Sequence, residues 1–505
     1  MSDSKKIVYD SFALLTGRIG GMVISVGFTV YFAHKLSKTE FATIAVFEIL
    51  TALTNMISNL GLETYCLREV PSFIKKNDLS KASAYIKTAI ANRLLWSILA
   101  GILIILSQEN CAKIFFKDAA YAQIFLFLGV GVVASSLNTS LGLIAHSVKA
   151  FKETAFINII RVASFCILSF VLYYFYGYIG WVIGYTLSRV IGCVLFFILL
   201  KKWFFYSKFF YSWSKMVKTA YPYYLRGFAK YGLLNLDQAI ISIFMSPGML
   251  ATYYVAKKFP KYISIIIEAT GRPLLIKLSE FKNEKREKIQ NILAKISIYN
   301  SWLFVPICMG IAVYGYFLLD LFGGKKYTDG LPILVLLCLA KLLKGLFFSL
   351  YENGVFIFEK PYKVFLVDLA GCLSNIILLI LFVPFFGAVG VALAVLLSTA
   401  VAQYCAGYFL NKIFDVKFNI NAFYKVCGAM ALFSITGIIL QILFYDIYLI
   451  PLYIVVSLIV FFVFTANIIT EEDILMLKSI LPERINFVFK FLNFISFRQT
   501  AAQGN

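Results

Sequence analysis

The chain has 505 residues, 61% of them hydrophobic and only 14% charged, a composition that excludes an ordinary water-soluble surface. Its net charge of +21 does not point to nucleic acid, because the basic residues fall in short clusters between apolar runs of about 20 residues, as in loops between membrane helices. Nine cysteines with no C-x-x-C spacing, of which only Cys111 falls in an expected outer loop, imply neither a disulfide framework nor a zinc site, and no cofactor is expected.

A polar stretch from Met1 to Asp10 precedes an apolar segment long enough to span, which predicts a retained first helix rather than a cleaved signal peptide. Spans are predicted at 12–34, 41–63, 88–106, 121–147, 155–176, 179–200, 220–244, 249–275, 296–321, 331–357, 364–385, 387–410, 426–445 and 447–468. These runs are too long and continuous for barrel strands, so the expected fold is an all-α integral membrane protein of about 14 transmembrane helices. After the last span, Thr470 with Glu471, Glu472 and Asp473 has the form of a helix N-cap with acids at the positive end of the dipole. The stretch through Phe487, Phe491 and Phe494 predicts an interfacial helix on the cytoplasmic leaflet, with a frayed tail as the alternative. Gln499 to Asn505 carries no signal.

With the N-terminus inside, the inner loops and termini hold 29 Lys or Arg and the outer loops only six: Lys35, Lys38, Lys113, Lys117, Lys325 and Lys326. That bias predicts a multi-pass protein of the cytoplasmic (inner) membrane with both termini cytoplasmic. Every outer loop is short, which leaves no room for an extracellular catalytic domain. No G-x-x-x-x-G-K-[ST] occurs, so there is no sign of ATP hydrolysis, and His34 and His146 lie too far apart in sequence to suggest a metal site or a triad.

The chain repeats itself. Gly177, Gly180 and Ser188 match Gly387, Gly390 and Ser398 at an offset of 210, and Ala42-Thr43 and Val46 match Ala251-Thr252 and Val255 at 209. Two pseudo-symmetric six-helix lobes follow, an N-lobe over 1–205 and a C-lobe over 206–415, with two further spans over 416–470 and a cytoplasmic segment over 471–505. Transporters built from such repeats place substrate between them.

Twelve basic residues lie within the spans, where the acids are fewer and include Glu48, Glu63, Asp237, Glu268, Glu352 and Asp368. A charge at a helix centre costs about 2.5–3.5 kcal/mol on insertion scales, so these residues are expected to face protein or water. Arg226, Lys230 and Asp237 stand at i, i+4, i+11; Lys257, Lys261 and Glu268 repeat that spacing with Arg272 beyond; Lys341, Lys344 and Glu352 form a third stripe. Span 2 carries Glu48, Asn55, Asn59 and Glu63 on one face, and span 1 carries Arg18, Ser25 and Thr29. Such stripes line a shared aqueous cavity. The cationic surplus suits an anion such as phosphate or pyrophosphate, for which Arg18, Arg226, Lys230, Lys257, Lys261, Arg272 and Lys341 are the candidate ligands. Internal pairing with Glu48, Asp237 or Glu268 is the alternative for the lysines, and snorkelling to headgroups the alternative for Arg18, Arg93, Arg161 and Arg226. With no ATP site, Asp237 and Glu268, then Glu48 and Glu352, are the candidates for binding a coupling H+ or Na+, or else they set helix register by pairing with lysines. Pro260, Pro306 and Gly271-Arg272-Pro273 are expected to bend or break their spans.

Leu60-Gly61-Leu62 with Leu67-Arg68-Glu69-Val70, Tyr221-Pro222 with Asp237, Gly248 through Tyr253-Tyr254 and Ala256-Lys257, and Phe386-Gly387-Ala388-Val389-Gly390 occur in that order. Over about residues 5–470 the chain thereby resembles the Wzx-type polysaccharide flippases of the multidrug/oligosaccharidyl-lipid/polysaccharide exporter superfamily. The resemblance implies a V-shaped pair of helical lobes, not an enzyme, that moves an undecaprenyl-pyrophosphate-linked oligosaccharide, such as an O-antigen unit of lipopolysaccharide, to the outer leaflet by alternating access. It also implies a polysaccharide polymerase and a chain-length regulator as partners. A drug/cation antiporter of the same superfamily would favour an acidic cavity. A membrane-embedded polymerase or ligase would need a sizeable outer loop or clustered acids near that face.

Overall fold

The computed structural model describes residues 26–280, 286–347, 351–358, 361–414 and 420–443, with 452, 455–459 and 461. Every regular element among them is helical: α1 (26–35), α2 (Lys38–Asn59), α3 (Leu62–Lys75), α4 (Leu79–Leu106), α5 (Gln108–Phe115), α6 (Ala122–Ser147), α7 (Phe151–Phe205), α8 (Trp213–Phe244), α9 (Pro247–Glu280), α10 (Arg286–Val313), α11 (Gly315–Gly323), α12 (Leu331–Phe347), α13 (Asn353–Phe358), α14 (Pro361–Phe414) and α15 (Ile420–Leu443). Seven helical segments among the described residues are long and apolar enough to cross a membrane. The helices α8 and α9, with 32 and 34 residues, are also long enough, but they carry the charged stripes that an all-round lipid environment would penalise. The predicted first span up to residue 25, much of the last two, and the segment 471–505 lie outside the described residues.

The helices gather into two compact units, Met1–Tyr254 with Phe322–Gly324, and Val255–Leu321 with Lys325–Asn505. In the first, Leu62, Cys66 and Val70 of α3 pack with Tyr85, Ile86 and Ala89 of α4, Ile144 of α6, Phe196 and Leu200 of α7, and Met216 and Ala220 of α8. Among the described residues the second holds two cores. Ile289 and Leu293 of α10 meet Val355, Ala402, Ala406 and Leu410 in one, and Val305, Leu346, Met430, Phe433 and Phe461 form the other. Outward-facing side chains are apolar and exposed, among them Leu103, Leu106, Phe175, Ile198, Ile380 and Phe385, which is the surface lipid requires.

The repeat is visible in backbone detail. Both α7 and α14 fold back on themselves, at Gly177 (φ 56°, ψ −141°) and Gly387 (φ 55°, ψ −132°), a conformation in which a Cβ is strained. Each therefore carries two predicted spans. Beyond the turn, Gly180, Gly184, Ser188 and Gly192 recur every four residues, and Gly390, Ala394, Ser398 and Ala402 recur at the equivalent places. This row of small residues lets the returning limb lie against the outgoing one. A Cβ on Gly180 would come within 2.0 Å of the Leu172 carbonyl oxygen, and one on Gly390 within 2.4 Å of that of Phe382, again 210 residues on. Ser188 and Ser398 donate to the carbonyls of Tyr185 and Val395, also equivalent positions.

The breaks expected at proline do not occur. Helix α9 runs unbroken to Glu280 through Pro260 and Gly271-Arg272-Pro273, and α10 runs through Pro306 to end at Val313. A proline forfeits one intrahelical hydrogen bond, which does not end a helix whose neighbours continue the ladder. Two short helices have no counterpart in the predicted spans. Amphipathic α3 buries Leu62, Cys66 and Val70, and α5 lies in the Ser107–Ala120 connection. Lys117 after α5 donates to the carbonyls of Ile114 (2.8 Å) and Ile243 (2.6 Å), so one cation caps the ends of α5 and α8. Gly61, between α2 and α3, has φ +75°, and a Cβ there would lie 2.5 Å from the Ala220 carbonyl oxygen of α8.

Candidate functional site

Helix α2 enters the bilayer from a capping box in which the Glu40 amide donates to Ser37 Oγ (3.2 Å) and the Ser37 amide to Glu40 Oε2 (2.9 Å). Its polar face is put to two uses. Ten residues in, about 15 Å from the start of the helix, Glu48 Oε1 accepts the Tyr254 hydroxyl at 2.7 Å. The neighbouring Tyr253, fully buried, donates to Asp237 Oδ2 of α8, also at 2.7 Å, while the Gln238 amide donates to Oδ1. Two of the four candidate ion-coupling acids are thus gripped by consecutive tyrosines of α9. These tyrosine partners of the candidate acids are not among the residues singled out from sequence as candidates, although the Tyr253-Tyr254 pair stands out beside Ala251-Thr252.

The expected stripe of span 2 does not run on one helix to Glu63, which lies in α3 past the Leu60-Gly61 break and takes a structural role. Arg93 of α4, 1% exposed, donates through Nε to Glu63 Oε1 at 2.7 Å and through an Nη to Ser58 Oγ (2.7 Å) and the Asn55 carbonyl (3.2 Å). Asn92 Nδ2 adds a bond to the Ser58 carbonyl and accepts through Oδ1 from Trp213 Nε1 at 3.0 Å. Arg93 does not snorkel; it is enclosed among acceptors. The connection into α8 is strapped to α4 at the same level. Lys87 Nζ reaches the Ser207 carbonyl at 2.5 Å, Thr88 exchanges hydrogen bonds with the backbone of Tyr211, and the Tyr85 and Tyr211 rings lie 4.2 Å apart.

Of the candidate anion ligands, Lys257 and Lys341 are half-buried and Lys261 is exposed. Glu352, in the second unit, accepts from Gln403 Nε2 at 2.5 Å. Arg18 and the side chains of Arg226, Lys230, Glu268 and Arg272 lie outside the described residues. Within the first unit an apolar groove of about 460 Å³ opens between α4, α6 and α7, lined by Ile102, Val130, Val133 and Phe197 among others. It offers an alkyl chain nothing but hydrocarbon.

The bundle carries two repeats, each with a helix folded back at one glycine. Solved structures share it. The "Lipid II flippase MurJ" in an inward closed conformation matches with a TM-score of 0.70 over 91% of this chain and 98% of that one, at 17% identity. An inward-facing multidrug resistance MATE family transporter of the MOP superfamily matches with 0.60 over 78% and 94%, at 14% identity. Among curated proteins, "Probable flippase AglR" of Haloferax volcanii is 25% identical over 42% of this chain, and "Probable low-salt glycan biosynthesis flippase Agl15" of the same organism 23% identical over 36%. The matched stretch spans less than half the length of either, 48% and 39%. The family model described as "Polysaccharide biosynthesis protein" matches residues 32–332, and the chain belongs to that family.

Proposed function

We propose that the protein is a flippase carrying an undecaprenyl-pyrophosphate-linked oligosaccharide from the cytoplasmic to the outer leaflet of the inner membrane by alternating access. The observation that carries this reading is the excess of intramembrane cations over acids in a chain of the polysaccharide biosynthesis family. The stripes of α8, α9 and α12 offer an anionic headgroup charge-assisted contacts, while the lipid tail keeps to hydrocarbon. A cationic drug would meet repulsion there, which disfavours the antiporter reading although the fold is common to both. Both termini are cytoplasmic in this reading, and a polysaccharide polymerase and chain-length regulator act downstream.

Resetting a polar cavity needs free energy, and an H+ or Na+ gradient is its proposed source. Asp237 and Glu48 bind the ion in this scheme, with Glu268 and Glu352 as further sites, and release of the Tyr253 and Tyr254 hydroxyls accompanies the change of state. The decisive experiment places the purified chain in proteoliposomes with a fluorescent lipid-linked oligosaccharide and measures its accessibility from outside, beside a glycan-transfer assay. Gradient-dependent exposure without glycan transfer is expected. Efflux of an organic cation in place of lipid exposure, or transfer of the glycan, would replace this reading.

A further inference from the structure

The treatment of Arg93 sets a standard for how this chain buries a cation: a carboxylate at 2.7 Å and acceptors on every side. Two other intramembrane arginines, both on α7, depart from it. Arg161 lies on the outgoing limb, ten residues or about 15 Å from the start of the helix at Phe151. Arg189 lies on the returning limb, twelve residues past the Gly177 reversal. The reversal sets Gly192, about one turn past Arg189, against the Arg161 side chain. Among the described residues, no carboxylate pairs with either.

Their surroundings are polar and unsatisfied. Arg161 packs along Gly192, where an added Cβ would meet its Cδ at 3.1 Å and Asn138 Nδ2 of α6 at 2.2 Å. Asn138 is 5% exposed. Arg161 Nε and Arg189 Nε are buried donors without an acceptor, and buried Asn138 faces the Cys193 sulfur, a weak acceptor. Arg189 is held from behind: its guanidinium lies 4.7 Å over the Tyr185 ring and donates to the Tyr185 hydroxyl, and Tyr185 is itself wedged against Phe47, Phe165 and Trp181. Both arginines keep part of their side chains accessible. Two like charges with spare donors at membrane depth are costly unless an anion with several acceptor oxygens completes them. Planar guanidinium forks match phosphate oxygens in pairs, which a lysine cannot do.

We propose that Arg161, Arg189 and Asn138 form a pyrophosphate subsite within the first unit, on a helix separate from the α8, α9 and α12 stripes. The subsite takes the diphosphate ester of the lipid-linked glycan, and so rests on the flippase reading. Gly192 is glycine there because a side chain would occupy the space that Arg161 and Asn138 share.

The test uses the full chain in neutral phosphatidylcholine nanodiscs, with thermal unfolding and direct binding as readouts. The probes are geranylgeranyl pyrophosphate, inorganic pyrophosphate and geranylgeraniol. Geranylgeranyl pyrophosphate should stabilise the wild type and the uncharged alcohol should not. Arg161→Gln and Arg189→Gln should each melt higher than wild type without ligand, since each relieves an uncompensated charge, and should bind the ester about tenfold more weakly or worse. Arg189→Lys should keep part of the affinity. A lower melting point for both Gln variants with unchanged binding would assign the pair a packing role and overturn the proposal. Stabilisation by inorganic pyrophosphate alone would overturn the assignment to a lipid headgroup. If the ester binds through these arginines while no lipid-linked glycan crosses in proteoliposomes, the subsite stands and the flippase reading falls.

Discussion

Arg93 and Asp237 divide the charged residues of this membrane by what surrounds them. Removing the partner from a buried ion pair leaves an uncompensated charge, so Arg93→Leu should destabilise the protein by about 3–5 kcal/mol, seen as a lower melting temperature in detergent. Arg93→Met with Glu63→Leu should recover most of that loss, because both desolvation penalties disappear together. Asp237 and Tyr253 form the opposite case. Tyr253→Phe removes one donor and should leave the protein folded while altering the dependence of transport on an imposed pH or Na+ gradient. Asp237→Asn should abolish that dependence, and a wild-type gradient response in Asp237→Asn would leave the carboxylate a structural role. The stripe containing Asp237 was legible in the sequence because i, i+4, i+11 spacing needs only one helix. Its hydrogen bond to Tyr253, and the Arg93–Glu63 pair 30 residues apart, were not, because they depend on how separate helices pack.

The helices α7 and α14 show how much an element owes to a single backbone angle. Nothing lies within 4 Å of a Cβ added at Gly177, so the cost of Gly177→Ala is confined to the backbone conformation and should be about 1–3 kcal/mol. Gly387, with nearly the same angles, should lose a similar amount, read as matched shifts in melting temperature. Gly180→Ala should cost more, since its methyl would collide with the Leu172 carbonyl. The glycine matches at an offset of 210 disclosed this element from sequence, because glycine's conformational role is written in the residue itself. Proline misled for the complementary reason. Its missing hydrogen bond is certain, yet whether a helix ends there depends on neighbours, and both α9 and α10 run on. The amphipathic α3 was hidden by its length, being 14 residues in a loop judged by its charges alone.

At the scale of the whole molecule, composition and charge carried most of the fold: apolar runs set the helices, and the division between Lys-rich and Lys-poor loops sets the expected sides. Single cysteines on a cysteine-free background should be labelled by an impermeant reagent in intact cells at position 325 and not at 284. Labelling at 284 would reverse the orientation. What composition could not disclose was the contact between helices of the bundle, and Gly61 is the sharpest example. At this glycine the α2–α3 junction lies against the backbone of α8 with no room for even one carbon atom. A methyl group at residue 61 is therefore a doorstop. In any working cycle that passes through this arrangement, Gly61→Ala would penalise one station and leave the others their intrinsic energies, shifting occupancy about tenfold for every 1.4 kcal/mol of collision. A transporter carrying that substitution, watched by distance labels on α3 and α8, would be a stalled machine in which the opposite end of the cycle becomes the one that can be seen.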